Sequence, residues 1–174
     1  ILTAADMRAK RVIDVGTGAG FPGLALKIAQ PEMDLTLLDS LDKRVGFLRD
    51  TCALLGFDDV ECVHARAEEA ARERRESYDF AVARAVARLE LLCELCLPFV
   101  KVGGSFIAMK GPDCGSEVDE AARAVSMLGG QLCPIVSYTV PGTDTVHSLV
   151  IIEKRRPTPG KYPRRWAQIK KSPL

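Results

Sequence analysis

The stretch Asp14-Val-Gly16-Thr-Gly18-Ala-Gly20-Phe-Pro-Gly23 decides the fold. It follows the apolar run Arg11-Val-Ile-Asp-Val15, which reads as a buried strand, and it opens a helical stretch from Pro22 to Gln30. Glycines at alternate positions let a backbone turn tightly and approach a ligand. The helix that follows offers free N–H groups and the positive end of its dipole. Strand, glycine-rich turn and helix in that order open a nucleotide-binding α/β sheet.

Working outward, apolar runs alternate with amphipathic stretches. Leu35–Asp39, Val60–His64, Tyr78–Ala83 and Gly104–Met109 read as further strands, the last one after a Gly103-Gly104 turn. Leu41–Gly56, Ala67–Arg75, Leu89–Val100 and Glu117–Leu128 read as helices, with Ser116 as an N-terminal cap. Gln131–Val140 and Val146–Glu153 finish the body as a strand pair joined by Pro141-Gly-Thr-Asp144. The expectation is an α/β fold: a seven-stranded, mostly parallel, doubly wound sheet with helices on both faces and an antiparallel last strand. The predicted domain covers 1–153. From 154 to 174 prolines 157, 159, 163 and 173 and the basic residues predict a tail without regular structure.

The net charge of +1 hides two unlike parts. From Lys154 onward there are eight basic residues and no acid, which leaves the body at −7. Such asymmetry suggests a polyanionic partner, although a solvated tail has the same composition. No apolar run reaches the roughly 18 residues that cross a membrane. The chain begins at Ile1 without a visible leader, and a preceding N-terminal segment is expected. Cys93 and Cys96 are the only close pair among the six cysteines, and only two histidines are present. We therefore expect reduced thiols in a cytoplasmic monomer, with neither metal nor membrane partner.

Asp39 ends the second strand 19 residues beyond Gly20, where an acid accepts hydrogen bonds from ribose hydroxyls. The run Gly18-Ala-Gly20-Phe-Pro-Gly23 also satisfies the dinucleotide pattern, so a nicotinamide-binding protein is an alternative. Asp14, inside the strand before the first glycine, favours S-adenosylmethionine, because an acid there can hold water or the amino group of a methionine moiety. The terminal strand pair points the same way.

The acceptor atom can be narrowed. Methylation at a pyrimidine carbon needs a cysteine nucleophile, and none follows the fourth strand. Methylation of an exocyclic amine uses an Asn/Asp-Pro-Pro-aromatic loop, and this chain has Ala83-Arg84-Ala85-Val86 there. A heteroaromatic nitrogen such as guanine N7 already presents a lone pair and has no proton to lose. Positioning suffices for it.

Several stretches together resemble the RsmG, or glucose-inhibited-division B, family of small-subunit ribosomal RNA guanine-N7 methyltransferases. They are Asp14–Gly23, Leu37–Leu48, Ala65–Glu69, Ala83–Ala85, Met109–Gly111, His147–Ile152, Lys161–Arg165 and Lys170–Leu174. The resemblance implies a Rossmann-like class I fold and S-adenosyl-L-methionine as donor. It implies a guanine N7 in the 530-region loop of 16S ribosomal RNA, or of the small subunit, as substrate. Other RNAs or small molecules are alternatives on the same fold.

By the resemblance, the donor site would comprise Asp14, Gly16, Gly18, Gly20, Phe21, Asp39, Ser40, Ala67, Glu68 and Arg84. Arg84 would position donor and target without acting as a base. Arg66, Lys110, His147, Lys161, Arg164, Arg165, Lys170 and Lys171 would face the RNA. The chain departs from the family in two places. A helical segment of roughly fifty or more residues, the scale of a small domain, precedes the first strand in the family. Trp166-Ala-Gln-Ile169 stands where the family carries a small residue, Gly and Pro. Trp166 either stacks on a base or anchors the tail to the body.

Overall fold

Strand β1 (Arg11–Val15) lies inside the sheet with four of its five residues buried, Val12 in one core and Ile13 and Val15 in the other. The computed structural model describes residues 1–84 and 86–174; Ala85 of the Ala83–Ala85 run lies outside the described residues. Helix α1 (Gly23–Ala29) follows, then β2 (Asp34–Asp39), α2 (Asp42–Leu55), β3 (Glu61–His64), α3 (Ala67–Glu73) and β4 (Tyr78–Arg84). Next come α4 (Leu89–Cys96), a short 3-10 turn at Leu97–Phe99, β5 (Val100–Lys110) and α5 (Gly115–Met127). The chain closes with β6 (Gly130–Leu132), β7 (Val136–Thr139), β8 (Val146–Lys154) and α6 (Trp166–Lys171).

The sheet runs β3-β2-β1-β4-β5-β8-β6, with β7 also pairing β8. β1 through β5 pair in parallel, and β8 is antiparallel to β5, β6 and β7. The order reverses between β1 and β4, the switch point at which such sheets bind ligands beyond the strand carboxyl ends. Val12, Leu35, Leu37, Val82 and Ile107 pack with α1 and α2 on one face. Ile13, Val15, Phe106, Leu92 and Ala121 form the other core, which also takes in Tyr162 and Ile169. This is the Rossmann-like α/β architecture the alternation predicts.

Four local expectations are corrected. Gln131–Val140 is two strands on the same edge of β8, split at Cys133-Pro134-Ile135, where proline can give no ladder hydrogen bond. Among the described residues eight strands therefore fill the seven positions expected. Gly103-Gly104 is a bulge inside β5 rather than a turn: Tyr78 pairs with Val100 and Phe80 with Ser105. A Cβ on Gly104 would stand 2.3 Å from the Asp79 carbonyl oxygen, so only glycine fits this approach. Helix α5 begins after Cys114, and no side chain caps it.

The fourth correction concerns 154–174, which is neither extended nor unstructured. Ile169 of α6 is fully buried. Lys154 is fully buried, and its Nζ donates to the Leu97 carbonyl at 2.7 Å and to Thr158 Oγ1 at 2.6 Å. Arg75 donates to the carbonyls of Tyr162, Thr158 and Pro159. Arg164 forms a bidentate pair with Glu94 of α4. The prolines do limit regular structure, but side-chain anchors dock the segment on the body.

Candidate functional site

The loop after β1 is held by its neighbours. The Gly16 and Thr17 amides donate to the Leu38 carbonyl at 2.8 and 3.1 Å. Asp14, fully buried, accepts through Oδ2 from the Thr17 hydroxyl at 2.6 Å and the Gly23 amide at 2.8 Å. One carboxylate oxygen thus clips both ends of the glycine loop to β1. The other, Oδ1, is buried and has no hydrogen-bond partner among the described residues. Burial pushes the Asp14 carboxyl up to about 6, against the pull of the Thr17 and Gly23 hydrogen bonds and of the nearby Arg84 charge.

Asp39 does comparable work from β2. Its Oδ2 accepts from the Gly18 amide at 3.0 Å and lies 3.4 Å from Arg44, while Oδ1 accepts from the Leu41 amide at 3.0 Å. It is 3% exposed. Asp39 therefore shapes two loops, a role the sequence reading did not assign to it. Gly16, Gly18 and Gly20 all adopt positive φ. A Cβ on Gly16 would come within 2.8 Å of a Val86 methyl, so this glycine keeps the cleft floor open.

Between these loops lies a cleft of about 220 Å³ at the carboxyl ends of the strands. Gly16, Asp39, Ser40, Ala67 and Glu68 line it, five of the residues expected at a donor site. Arg66, expected at the RNA face, also lines it. Six apolar residues that the sequence reading did not place there complete the wall: Val15, Leu38, Ala65, Val86, Leu95 and Trp166. Leu95 lay unrecognised within the apolar helix run; Trp166 gave a signal only as a departure from the family pattern.

Gly18, Gly20 and Asp14 stand behind the cleft and shape it. Phe21 is half-exposed, and the Arg84 guanidinium sits 5.3 Å from its ring centre. The two form a cation–aromatic pair at the end of β4 and the start of α1.

The residues expected at the RNA face fall into two groups. Arg66, Lys161, Arg165, Lys170 and Lys171 are exposed. Arg66, Arg72 and Arg165 share with Trp166 a second groove that adjoins the cleft. Lys110, by contrast, donates to the Ala87 carbonyl at 2.9 Å and to Glu117 at 2.7 Å. Arg164 is held by Glu94, which also keeps its guanidinium charged beyond the ordinary range. His147 lies in β8 beside Tyr138, ring centres 6.0 Å apart.

The arrangement suits a cationic, ribose-bearing ligand. Two cleft carboxylates, Asp39 and Glu68, are at most 7% exposed. Asp14 carries a further carboxyl behind the cleft, its Oδ1 without a partner among the described residues, and glycine floors the cleft. These features fit S-adenosylmethionine. Among the described residues no group of three or more His, Cys, Asp or Glu side chains comes together in a way that would hold a metal, and no helix is long and apolar enough to cross a membrane.

The family model described as rRNA small subunit methyltransferase G matches residues 1–144. A ribosomal RNA small subunit methyltransferase G of Alkaliphilus metalliredigens is 53% identical over 165 residues, covering 94% of this chain and 69% of its own. Its counterpart in Alkaliphilus oremlandii is 49% identical over 169 residues, covering 96% and 71%. Among solved structures, a predicted O-methyltransferase from Agrobacterium tumefaciens superposes with a TM-score of 0.70 at 24% identity, covering 88% of this chain and 78% of its own. That likeness speaks for the fold.

Proposed function

Because the chain belongs to the rRNA small subunit methyltransferase G family, we propose that it transfers the methyl group of S-adenosyl-L-methionine to N7 of a guanine in the 530-region loop of 16S ribosomal RNA. The observation that carries this reading is the acid-lined cleft beyond the carboxyl ends of β1, β2 and β3, floored by Gly16. When bound, the donor supplies an electrophilic methyl on a positively charged sulfonium.

The chain's own residues then bind and orient. Asp39 Oδ1 and the exposed Ser40 are the groups for ribose hydroxyls. Ala67 and Glu68 border the base, with the Ala67 side chain offering no obstruction. Asp14, behind the cleft, holds the glycine loop in place through the Thr17 hydroxyl and the Gly23 amide and, when ionised, adds negative charge that favours a cationic ligand. Arg84, steadied by Phe21 and outside the cleft lining, is assigned the positioning of donor and target.

No residue is assigned a proton-transfer step. Guanine N7 has a free lone pair, so alignment and exclusion of water are what the protein contributes. The exposed Arg66, Lys161, Arg165, Lys170 and Lys171 supply phosphate contacts for a structured RNA loop.

The test is methyl transfer from radiolabelled S-adenosylmethionine to small ribosomal subunits and to protein-free 16S rRNA, followed by nucleoside mass spectrometry. One added methyl on a single guanine within the loop, at N7, is expected. Label on another atom, in another RNA or only in small molecules overturns the assignment.

A further inference from the structure

The docked C-terminal segment delivers one side chain into the cleft. Trp166, the only tryptophan in the sequence, lines the cleft with Gly16, Asp39 and Ser40, and also lines the adjoining groove with Arg72 and Arg165. Arg66, Glu68 and Trp166 are common to both. The indole therefore stands at the α3 end of the cleft, where the two spaces meet. Asp39 and Ser40, the hydroxyl-binding groups, line the cleft and not the groove.

One side of the indole meets the apolar core and the other the charged groove. It packs partly against the core that contains Val15 and Leu95, alongside Ala65 and Ala67. Its backbone is fixed on both sides. Arg164, two residues earlier, grips Glu94 with contacts of 2.6 to 3.1 Å, and Ile169, three residues later, is fully buried. A large flat side chain is thus held beside a cleft that offers hydrogen-bonding groups at Asp39 and Ser40, charged groups at Arg66 and Glu68, and apolar walls at Val15, Leu38, Val86 and Leu95. A ligand with ribose hydroxyls and a flat ring matches the hydrogen-bonding and apolar parts.

We propose that Trp166 is a donor-binding residue, its indole packing against the purine base of the nucleoside held in the cleft. The inference rests on the reading that an adenosine-bearing methyl donor binds there. Aromatic faces stack on bases at little entropic cost, and a side chain fixed in advance gives up less freedom on binding. On this account the basic C-terminal segment completes the donor site as well as carrying charge.

The test uses the full chain with S-adenosylhomocysteine and, separately, adenosine as probes, read by calorimetry and by indole fluorescence. Because Trp166 is the only tryptophan, the emission reports this one position. The emission should change saturably with the dissociation constant found by calorimetry. Trp166→Ala should weaken both probes by about fivefold or more, the range expected for lost base stacking. Trp166→Phe should recover most of that loss, with unchanged circular dichroism.

Tight binding of S-adenosylhomocysteine with no change in emission, and an unaltered constant in Trp166→Ala, overturns the inference and leaves the donor reading intact. Absence of binding in the unmodified protein overturns the donor reading itself. Should Trp166→Ala fail to fold, the emission titration of the unmodified chain and the Trp166→Phe constant still decide.

Discussion

Arg164 and Glu94 are joined across seventy residues of sequence: the guanidinium meets both carboxylate oxygens, at 2.8 Å from Nε to Oε1 and 2.6 Å from Nη2 to Oε2. The Glu94 side chain is 1% exposed and that of Arg164 15%. The Arg164 amide adds a further hydrogen bond to Oε1 at 2.8 Å. This pair fastens the C-terminal segment to α4, and Trp166 lies two residues beyond it. Removing Arg164 leaves a buried carboxylate with only the backbone amide. Arg164→Ala should therefore cost about 3–5 kcal/mol of stability. Urea unfolding should show the loss, and a midpoint within error of the unmodified protein would contradict it.

Replacing the exposed cations tests a different property. Lys161, Arg165, Lys170 and Lys171 all face solvent. Changing the four to Ala should leave stability nearly unchanged and weaken RNA binding. If each meets a phosphate, the slope of log affinity against log salt should flatten by about 0.7 per residue lost. A filter-binding series over salt concentration measures this. An unchanged slope would place the RNA elsewhere.

Asp14 predicts a pH dependence whose sign follows from burial. Its carboxyl titrates at about 6 in the folded chain, against about 4 when unfolded. Between those values the folded state holds a proton that the unfolded state has released. This contribution is full below pH 4 and declines as pH rises to about 6. Asp14→Asn should abolish that part of the stability–pH curve in denaturant melts. Donor affinity should rise over the same interval, because the ionised form attracts a cation.

Gly16→Ala joins two penalties. Its φ is +70°, a region that costs an L-residue roughly 1–2 kcal/mol. The new Cβ would also press on Val86 at 2.8 Å. We expect a fold that persists with lower melting temperature and a donor affinity reduced at least about tenfold, equivalent to some 1.4 kcal/mol. Calorimetry with S-adenosylhomocysteine reads the second effect.

Asp39→Asn tests the dual role of that residue. The carboxylate accepts from the Gly18 and Leu41 amides on separate oxygens. An amide side chain has one acceptor, so one buried N–H would face an NH₂ group, costing about 1–3 kcal/mol. Both stability and donor affinity should fall. A loss of affinity alone would mean that Asp39 serves the ribose and not the loops.

The sequence by itself determined the sheet, the switch point and the polar part of the cleft at Gly16, Asp39, Ser40 and Glu68. Strand runs, helix periods and the glycine spacing from Gly16 to Gly23 are local properties. Each dictates its own backbone geometry, and Asp39 falls at a strand end by simple counting. Tertiary structure alone decided the fate of the basic segment. Formal charge is the same for a solvated lysine and for one buried like Lys154, so composition treated the eight cations alike. Burial separates them: Lys154 and Arg164 work inside the protein, while Lys170 and Lys171 face water. The partners that make the difference, Glu76 for Lys154 and Glu94 for Arg164, lie some seventy or more residues away. No local pattern encodes such a pairing, so only the packed chain could bring Trp166 to the cleft.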